Sequence, residues 1–313
     1  MNHQVAQGKG FGKTILFGDH FVVYGLPAIA SAIGDQTVAK IEQFEKMEII
    51  DNKPATDGYK EKKAEEIRRE FDALFRYFKI NPNEKPLKIT LEGNLFCTSG
   101  VGASAALATS VSRALNEMLN VGMDDDAINK AAYIAEEAGS GKPSGIDNTC
   151  STFGKLIWFK KNIEGEENVI EHIDAKEPVG IVLADTGITQ ITKDVVNDVA
   201  SKHEQDRPGF DDLFNEYASL VSEARAALEQ GYWEKVGQLM DKNQELLAKI
   251  GVSCDEIENI IRIAKANGAF GAKLTGTGRG GYVIALAPGK ELQDRVATAI
   301  EQAGFKVLKT TIG

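Results

Sequence analysis

The stretch Cys97-Thr98-Ser99-Gly100-Val101-Gly102-Ala103-Ser104-Ala105-Ala106 constrains this chain more than any other. Two glycines lead straight into a helix start built from small residues, so no bulky side chain shields the backbone amides there. Amides that converge on one point, backed by the positive end of a helix dipole, form an anion site. A nucleotide phosphate fits such a site. The same residues also fit a plain glycine turn whose helix is capped by Ser99 or Ser104. On this motif alone the two readings stand level, because short glycine motifs arise by chance.

Bulk properties narrow the field. With 313 residues the chain can form two domains or one large α/β unit. A net charge of −10 disfavours nucleic acid as a partner, since phosphate backbones need clustered Lys and Arg. The run Lys60-Glu61-Lys62-Lys63, with Arg68-Arg69 beyond it, sits among glutamates and reads as a solvated helix face. An acidic surface still admits anionic substrates to a locally basic cleft. Cys97, Cys150 and Cys254 are spaced for neither a disulfide framework nor a zinc site, and read as buried thiols in a reducing compartment. No signal-peptide pattern opens the chain and no apolar run is long enough to span a bilayer. The expectation is a cytoplasmic protein with neither nucleic acid nor membrane as partner.

Residues 14–50 read as short strands of an antiparallel sheet: Thr14–Phe17, Phe21–Tyr24, Thr37–Ile41 and Met47–Ile50. Residues 60–79 read as a helix with Ile67, Phe71, Leu74 and Phe75 on one face. Leu87–Leu91 is a strand leading toward the glycine loop, and 103–119 and 125–138 are helices, the first alanine-rich and able to pack close. Strands at 156–159 and 181–184 flank the turn Lys176-Glu177-Pro178, the candidate domain boundary. Helices at 190–204, 210–229, 232–249 and 255–267 follow. The chain closes with strands at 272–274 and 282–286, a helix at 290–303 and a strand at 306–308, an ending that suits an α+β sandwich.

Three further segments carry chemistry. In Gly10-Phe11-Gly12-Lys13, a lysine follows a tight glycine turn, and Asp19-His20 sits in the next turn. Lys13 suits a transferring phosphoryl group, and Asp19 and His20 suit substrate hydroxyl or carboxylate groups. They equally suit a surface charge and a turn former. In Glu136-Glu137-Ala138-Gly139-Ser140-Gly141-Lys142-Pro143-Ser144-Gly145-Ile146-Asp147-Asn148, a loop costly to order presents Asp147 at its end. Glu136 and Ser104 supply hard oxygens of the kind magnesium accepts. In Lys273-Leu274-Thr275-Gly276-Thr277-Gly278-Arg279-Gly280-Gly281, four glycines in six residues make a second close-approach loop.

The order of these four segments resembles that of the GHMP small-molecule kinases over nearly the whole chain, as a divergent member. Gly12-Lys13 with Leu16-Phe17-Gly18-Asp19-His20 and Val22-Val23-Tyr24-Gly25 is similar to the first family motif, and Gly100–Ala106 to the phosphate loop. Pro143-Ser144-Gly145-Ile146-Asp147-Asn148 is similar to the catalytic-aspartate loop, and Lys273–Gly278 to the last motif. The resemblance implies an α+β, two-domain GHMP kinase fold. Residues 1–177 would form an N-terminal ribosomal-protein-S5-like domain that binds nucleotide and carries catalysis. Residues 178–313 would form a C-terminal ferredoxin-like α/β sandwich with added helices. It implies ATP and Mg2+ as cofactors and a small alcohol, mevalonate or a relative, as acceptor. Residue by residue, Asp147 and Lys13 match the catalytic pair, and Ser104 and Glu136 the magnesium ligands. Ser99, Gly100, Val101, Gly102, Ala103, Ser104 and Ala105 match the nucleotide loop. Asp19, His20, Tyr24, Thr189, Gly276, Thr277 and Arg279 match the substrate-facing set.

The chain departs from the family pattern mainly in substrate-facing loops. Phe11 precedes Gly12-Lys13 where proline is usual, Asp19 replaces a glutamate, and Ala103 replaces a serine. Thr277 and Arg279 stand where small residues are usual, and Gln190-Ile191 replaces a basic–serine pair. Arg279 keeps a second anionic group in view. The alternatives are therefore a kinase for phosphomevalonate, the tertiary mevalonate hydroxyl, homoserine or a sugar, a decarboxylase of the same fold, or an inactive ligand sensor. Apolar helices in the C-terminal half could form the face of a homodimer.

Overall fold

The structure is a computed structural model that describes residues 5–98, 100–141, 143–164 and 167–313. The chain divides into two units: residues up to Lys13 with Ala32–Gly154, and Thr14–Ser31 with Lys155–Gly313. The expected single boundary after residue 177 is replaced by an interleaved division. Strands β1 (Ala6–Phe17) and β2 (Pro27–Gln43) contribute to both units. The physical reason is a ladder: Pro27–Ser31 of β2 pairs antiparallel with β5 (Leu156–Lys160), and β5 pairs with β6 (Val169–Ile173). These hydrogen bonds carry residues 155–177 into the second unit, and the 176–178 turn lies inside it.

In the first unit, β2 pairs antiparallel with β4 (Leu87–Gly93), Thr37 opposite Gly93 and Gln43 opposite Leu87. The short β3 (Glu48–Asp51) pairs with β4 in parallel, against the expectation of an all-antiparallel sheet. The connection explains it: α1 (Tyr59–Tyr77) is the crossover between β3 and β4, and a helical crossover returns the chain in the same direction. Helices α2 (Ala103–Leu119), α3 (Asp125–Ser140) and α4 (Ile146–Phe153) complete this unit. Phe71, Leu74, Ile89, Leu107, Val111 and Ala135 lie in its core.

The expected tight turn at Gly10-Phe11-Gly12 is instead part of continuous strand β1. A Cβ at Gly8 would fall 2.1 Å from Ser110 O, and one at Gly10 would fall 2.2 Å from Ala106 O. These glycines therefore let the backbone of α2 lie directly on the strand, and the alanines of α2 serve the same close approach.

In the second unit, β7 (Val179–Asp185), β8 (Gly271–Thr275), β9 (Tyr282–Leu286) and β10 (Lys306–Ile312) form an antiparallel sheet in the order β10-β7-β9-β8. Helices α8 (Asp255–Ala266) and α9 (Lys290–Gln302) pack on it. This is the βαββαβ arrangement of a ferredoxin-like sandwich. The added helices α5 (Thr192–Gln205), α6 (Arg207–Gln230) and α7 (Trp233–Lys249) are inserted after β7. Phe21–Tyr24, expected as a strand, forms one turn of 3-10 helix. His20 and Gly25 at its two ends have φ of +64° and +78°, and such reversals break an extended run despite Val22-Val23.

Candidate active site

In the first unit the glycine loop lies against Lys13. The Lys13 amide donates to Val101 O at 2.8 Å. Gly102 precedes α2 with φ of +71°, and a Cβ on it would fall 3.1 Å from Lys13 Cβ. The N-cap is Gly102, which has no side chain to cap α2, and among the described residues the Ser104 hydroxyl is turned to Glu70. The amide groups of the first turn, through Ala103, Ser104 and Ala105, remain as donors, as an anion site requires. Val101 and Ala103 are buried, and a Cβ on Gly100 would meet nothing within 4 Å. Ser99 lies outside the described residues.

Lys13 Nζ is 2.9 Å from Asp147 Oδ1, and the lysine side chain is 9% exposed against 35% for the aspartate. Asp147 is not at the end of a loop but in the first turn of α4, after Gly145. Ser151, one turn further along α4, donates to Phe11 O at 2.6 Å and ties that helix to the strand that carries Lys13.

Glu136, in the last turn of α3, accepts the Asn148 amide, and its Oε2 has no hydrogen-bond partner among the described residues. Burial pushes its carboxyl well above the ordinary value, and Asp147 and Glu70 push it further, while Lys13 opposes them. Ser104 Oγ donates to Glu70 Oε1. Glu70 is 1% exposed, and burial pushes its carboxyl up to about 7. Among the described residues no group of three His, Cys, Asp or Glu side chains is placed to hold a cation alone. A cation here would complete its shell with the Ser104 hydroxyl, phosphate and water, and the orphaned oxygen of Glu136 fits that donor set.

In the second unit, Asp19 is sealed in. Its Oδ2 lies 2.5 Å from Lys273 Nζ, its Oδ1 accepts the Gly276 amide at 2.6 Å, and both charged side chains are 0% exposed. Lys273 also donates to Leu274 O. Burial lowers the Lys273 pKa and Asp19 opposes the shift. His20 Nε2 is 2.6 Å from Thr277 O. A carbonyl only accepts, so Nε2 carries the proton and Nδ1 keeps its lone pair. Nδ1 is buried with no hydrogen-bond partner among the described residues. Gly276 has φ of +98° and would-be Cβ space that is open, while the Thr277 hydroxyl is 2.7 Å from that of Thr192.

Three members of the expected substrate set have other surroundings. Arg279 is engaged by Asp198 and, through Nε at 2.9 Å, by Gly251 O. Tyr24 packs against Phe214 and His203, with ring centroids 4.8 and 5.2 Å away. Thr189 is exposed on the segment between β7 and α5. Sequence reading missed two charged groups, Glu70 and Lys273. Glu70 stands three residues after Ile67 and four before Leu74, so a charge on the apolar stripe of α1 was its signal. Lys273 lies in a strand buried along its whole length, and its residue type alone pointed to the surface.

Burial lowers the His20 pKa from 6.5, against the opposing effects of Thr277 O and Asp19. Below 6.5 the unfolded chain then binds protons that the folded protein does not, so stability is lost as pH falls, by up to about 1.4 kcal/mol per unit. The urea midpoint of the wild type is expected to drop between pH 7 and pH 5 more steeply than that of His20→Gln. Equal slopes would rule out a neutral buried imidazole.

This combination of a phosphate-type helix terminus, a lysine–aspartate pair and a ferredoxin-like second unit agrees with comparisons to known proteins. The family model described as GHMP kinases N terminal domain matches residues 64–155, and that described as GHMP kinases C terminal matches residues 224–306. The chain belongs to the GHMP kinases. Its relatives include the mevalonate kinase of Pyrococcus abyssi (strain GE5 / Orsay), 33% identical over 96% of this chain and 93% of that one. The mevalonate kinase of Thermococcus sibiricus (strain DSM 12597 / MM 739) is 31% identical over 96% and 94%. The crystal structure of L. major mevalonate kinase in complex with R-mevalonate matches with a TM-score of 0.93 at 34% identity, over 99% of this chain and 96% of that one.

Proposed function

We propose that this chain transfers the γ-phosphoryl group of ATP to the primary alcohol of mevalonate, giving 5-phosphomevalonate, with Mg2+ as cofactor. The observation that carries the reading is the Lys13–Asp147 pair at 2.9 Å, on the strand and helix that adjoin the glycine-led α2 terminus. Phosphoryl transfer through a loose transition state asks the protein mainly to position groups and neutralise charge. The amides from Gly100 to Ala105 hold the phosphates, and Lys13 neutralises charge on the group in transit. Asp147 accepts the hydroxyl proton. Ser104 and Glu136 would hold Mg2+, which would supply positive charge against that of the phosphates.

Within the second unit His20 and Gly276 are assigned to substrate contact: His20 Nδ1 is an acceptor with no partner among the described residues, and the space at the Gly276 Cβ position is open. Thr277, whose carbonyl accepts from His20 Nε2, contributes to the walls. Asp19, with both oxygens engaged, sets the position of His20 and of the Gly276 amide. Arg279 is bound to Asp198 and Gly251, which favours an unphosphorylated acceptor over phosphomevalonate. Among the described residues no helix is long and apolar enough to cross a membrane.

The test is ADP release with ATP, Mg2+ and a panel of mevalonate, phosphomevalonate, homoserine and galactose. Turnover on mevalonate is expected, with a phosphate monoester on the primary carbon by phosphorus NMR. Turnover on another member and none on mevalonate would overturn the acceptor assignment.

A further inference from the structure

The roles assigned above leave Glu70 unused. It stands on α1, whose other charged residues are exposed or half-buried, yet it is 1% exposed. Among the described residues it is not half of an ion pair: Lys53 pairs with Asp51 at 3.8 Å and Lys63 with Glu66 at 2.6 Å. Its Oε1 accepts the hydrogen bond of Ser104 Oγ, and its Oε2 has no partner among the described residues.

Two features hold this carboxylate in place. Gly139 of α3 makes room for it, since a Cβ there would fall 2.8 Å from Glu70 Oε1. The adjacent Arg69 fixes α1 on the end of α3, donating to Ala138 O at 3.0 Å and to Gly139 O at 2.6 Å. An unpaired buried carboxylate is costly. The chain keeps one here, against the hydroxyl in the first turn of α2.

A hydroxyl that ligates a cation gives it an oxygen lone pair, so its proton must point away and needs an acceptor. We propose that Glu70 is a positioning residue for the divalent cation: it takes the Ser104 hydroxyl proton in a hydrogen bond and so turns the Ser104 lone pairs toward the ion that Glu136 binds. The inference rests on the reading of Ser104 and Glu136 as cation ligands.

The test reads Mn2+ binding to the enzyme with ADP, by electron paramagnetic resonance of the free ion, beside the Mg2+ concentration that half-saturates turnover. Glu70→Ala is expected to weaken Mn2+ binding about 10- to 100-fold. The Mg2+ requirement rises in step, and saturating Mg2+ restores most of kcat. Glu70→Gln keeps an acceptor oxygen and is expected to bind Mn2+ close to wild type. In a Ser104→Ala background Glu70→Ala is expected to add little, because Glu70 acts through that hydroxyl. Should Glu70→Ala fail to fold, Glu70→Met, which lacks an acceptor but fills the space, replaces it.

Wild-type Mn2+ affinity in Glu70→Ala, or an equal loss with and without Ser104, would overturn the proposal. Failure of the wild type to bind Mn2+ with ADP would instead remove the cation reading of Ser104 and Glu136, and this inference with it.

Discussion

Asp147→Asn is expected to lower turnover by about 10²- to 10⁴-fold, the range for loss of a positioned general base, with little change in nucleotide affinity. The substitution keeps size and shape in the first turn of α4, so the helix and the Ser151–Phe11 tie persist. What disappears is the proton acceptor and the charge that faces Lys13 at 2.9 Å. Lys13 keeps its position through the Val101 hydrogen bond of its own amide and remains available to phosphate. Binding of ADP, measured by calorimetry, therefore separates the two roles: affinity stays while kcat on mevalonate collapses. If the asparagine variant turned over near the wild-type rate, proton transfer would belong to solvent and Asp147 would serve only to hold Lys13.

The legible and illegible parts of this chain differ for physical reasons. Helix α2 is read from residues 103–119 because local signals agree: a glycine before it and alanines within it. Strand β2 is read only in part. Its residues 37–42 alternate buried and half-exposed positions, which is the signature of a strand with one wet face. Residues 28–33 are buried without alternation, and small residues there erase the period, so the first half of a 17-residue strand passes unnoticed. The interleaving of the two units is hidden by the same gap, since this half of β2 holds β5 in the second unit.

The site shows the same split. Lys13, Ser104, Glu136 and Asp147 could be named because glycine-rich punctuation surrounds each motif. Their partners could not, because partner choice is tertiary. Glu70 meets Ser104 across 34 positions, and Lys273 meets Asp19 across 254. Arg279 was expected to face substrate for its fork of donors, but that fork is equally suited to Asp198 and a helix-end carbonyl, and these occupy it.

The pairing of Asp19 with Lys273 leads to a large expected effect on stability. Lys273→Met is expected to destabilise the protein by about 3–5 kcal/mol, the usual consequence of removing one partner from a buried ion pair. The cause is not loss of a strong attraction, because desolvation of two charges offsets much of it. The cause is the carboxylate left behind, 0% exposed and, among the described residues, with the Gly276 amide as its remaining donor. The double variant Lys273→Met with Asp19→Asn removes that stranded charge, and the asparagine oxygen can still accept the Gly276 amide. It should therefore recover much of the loss, so the effects of the two substitutions are strongly non-additive. Denaturant midpoints of the four proteins measure this directly. The acceptor site should respond as well, since Asp19 precedes His20 and anchors Gly276: KM for the alcohol is expected to rise in Lys273→Met more than KM for ATP. Simple additivity of the two substitutions would mean that the carboxylate finds other partners when the lysine is gone, and that the pair is not what holds the glycine loop against the His20 turn.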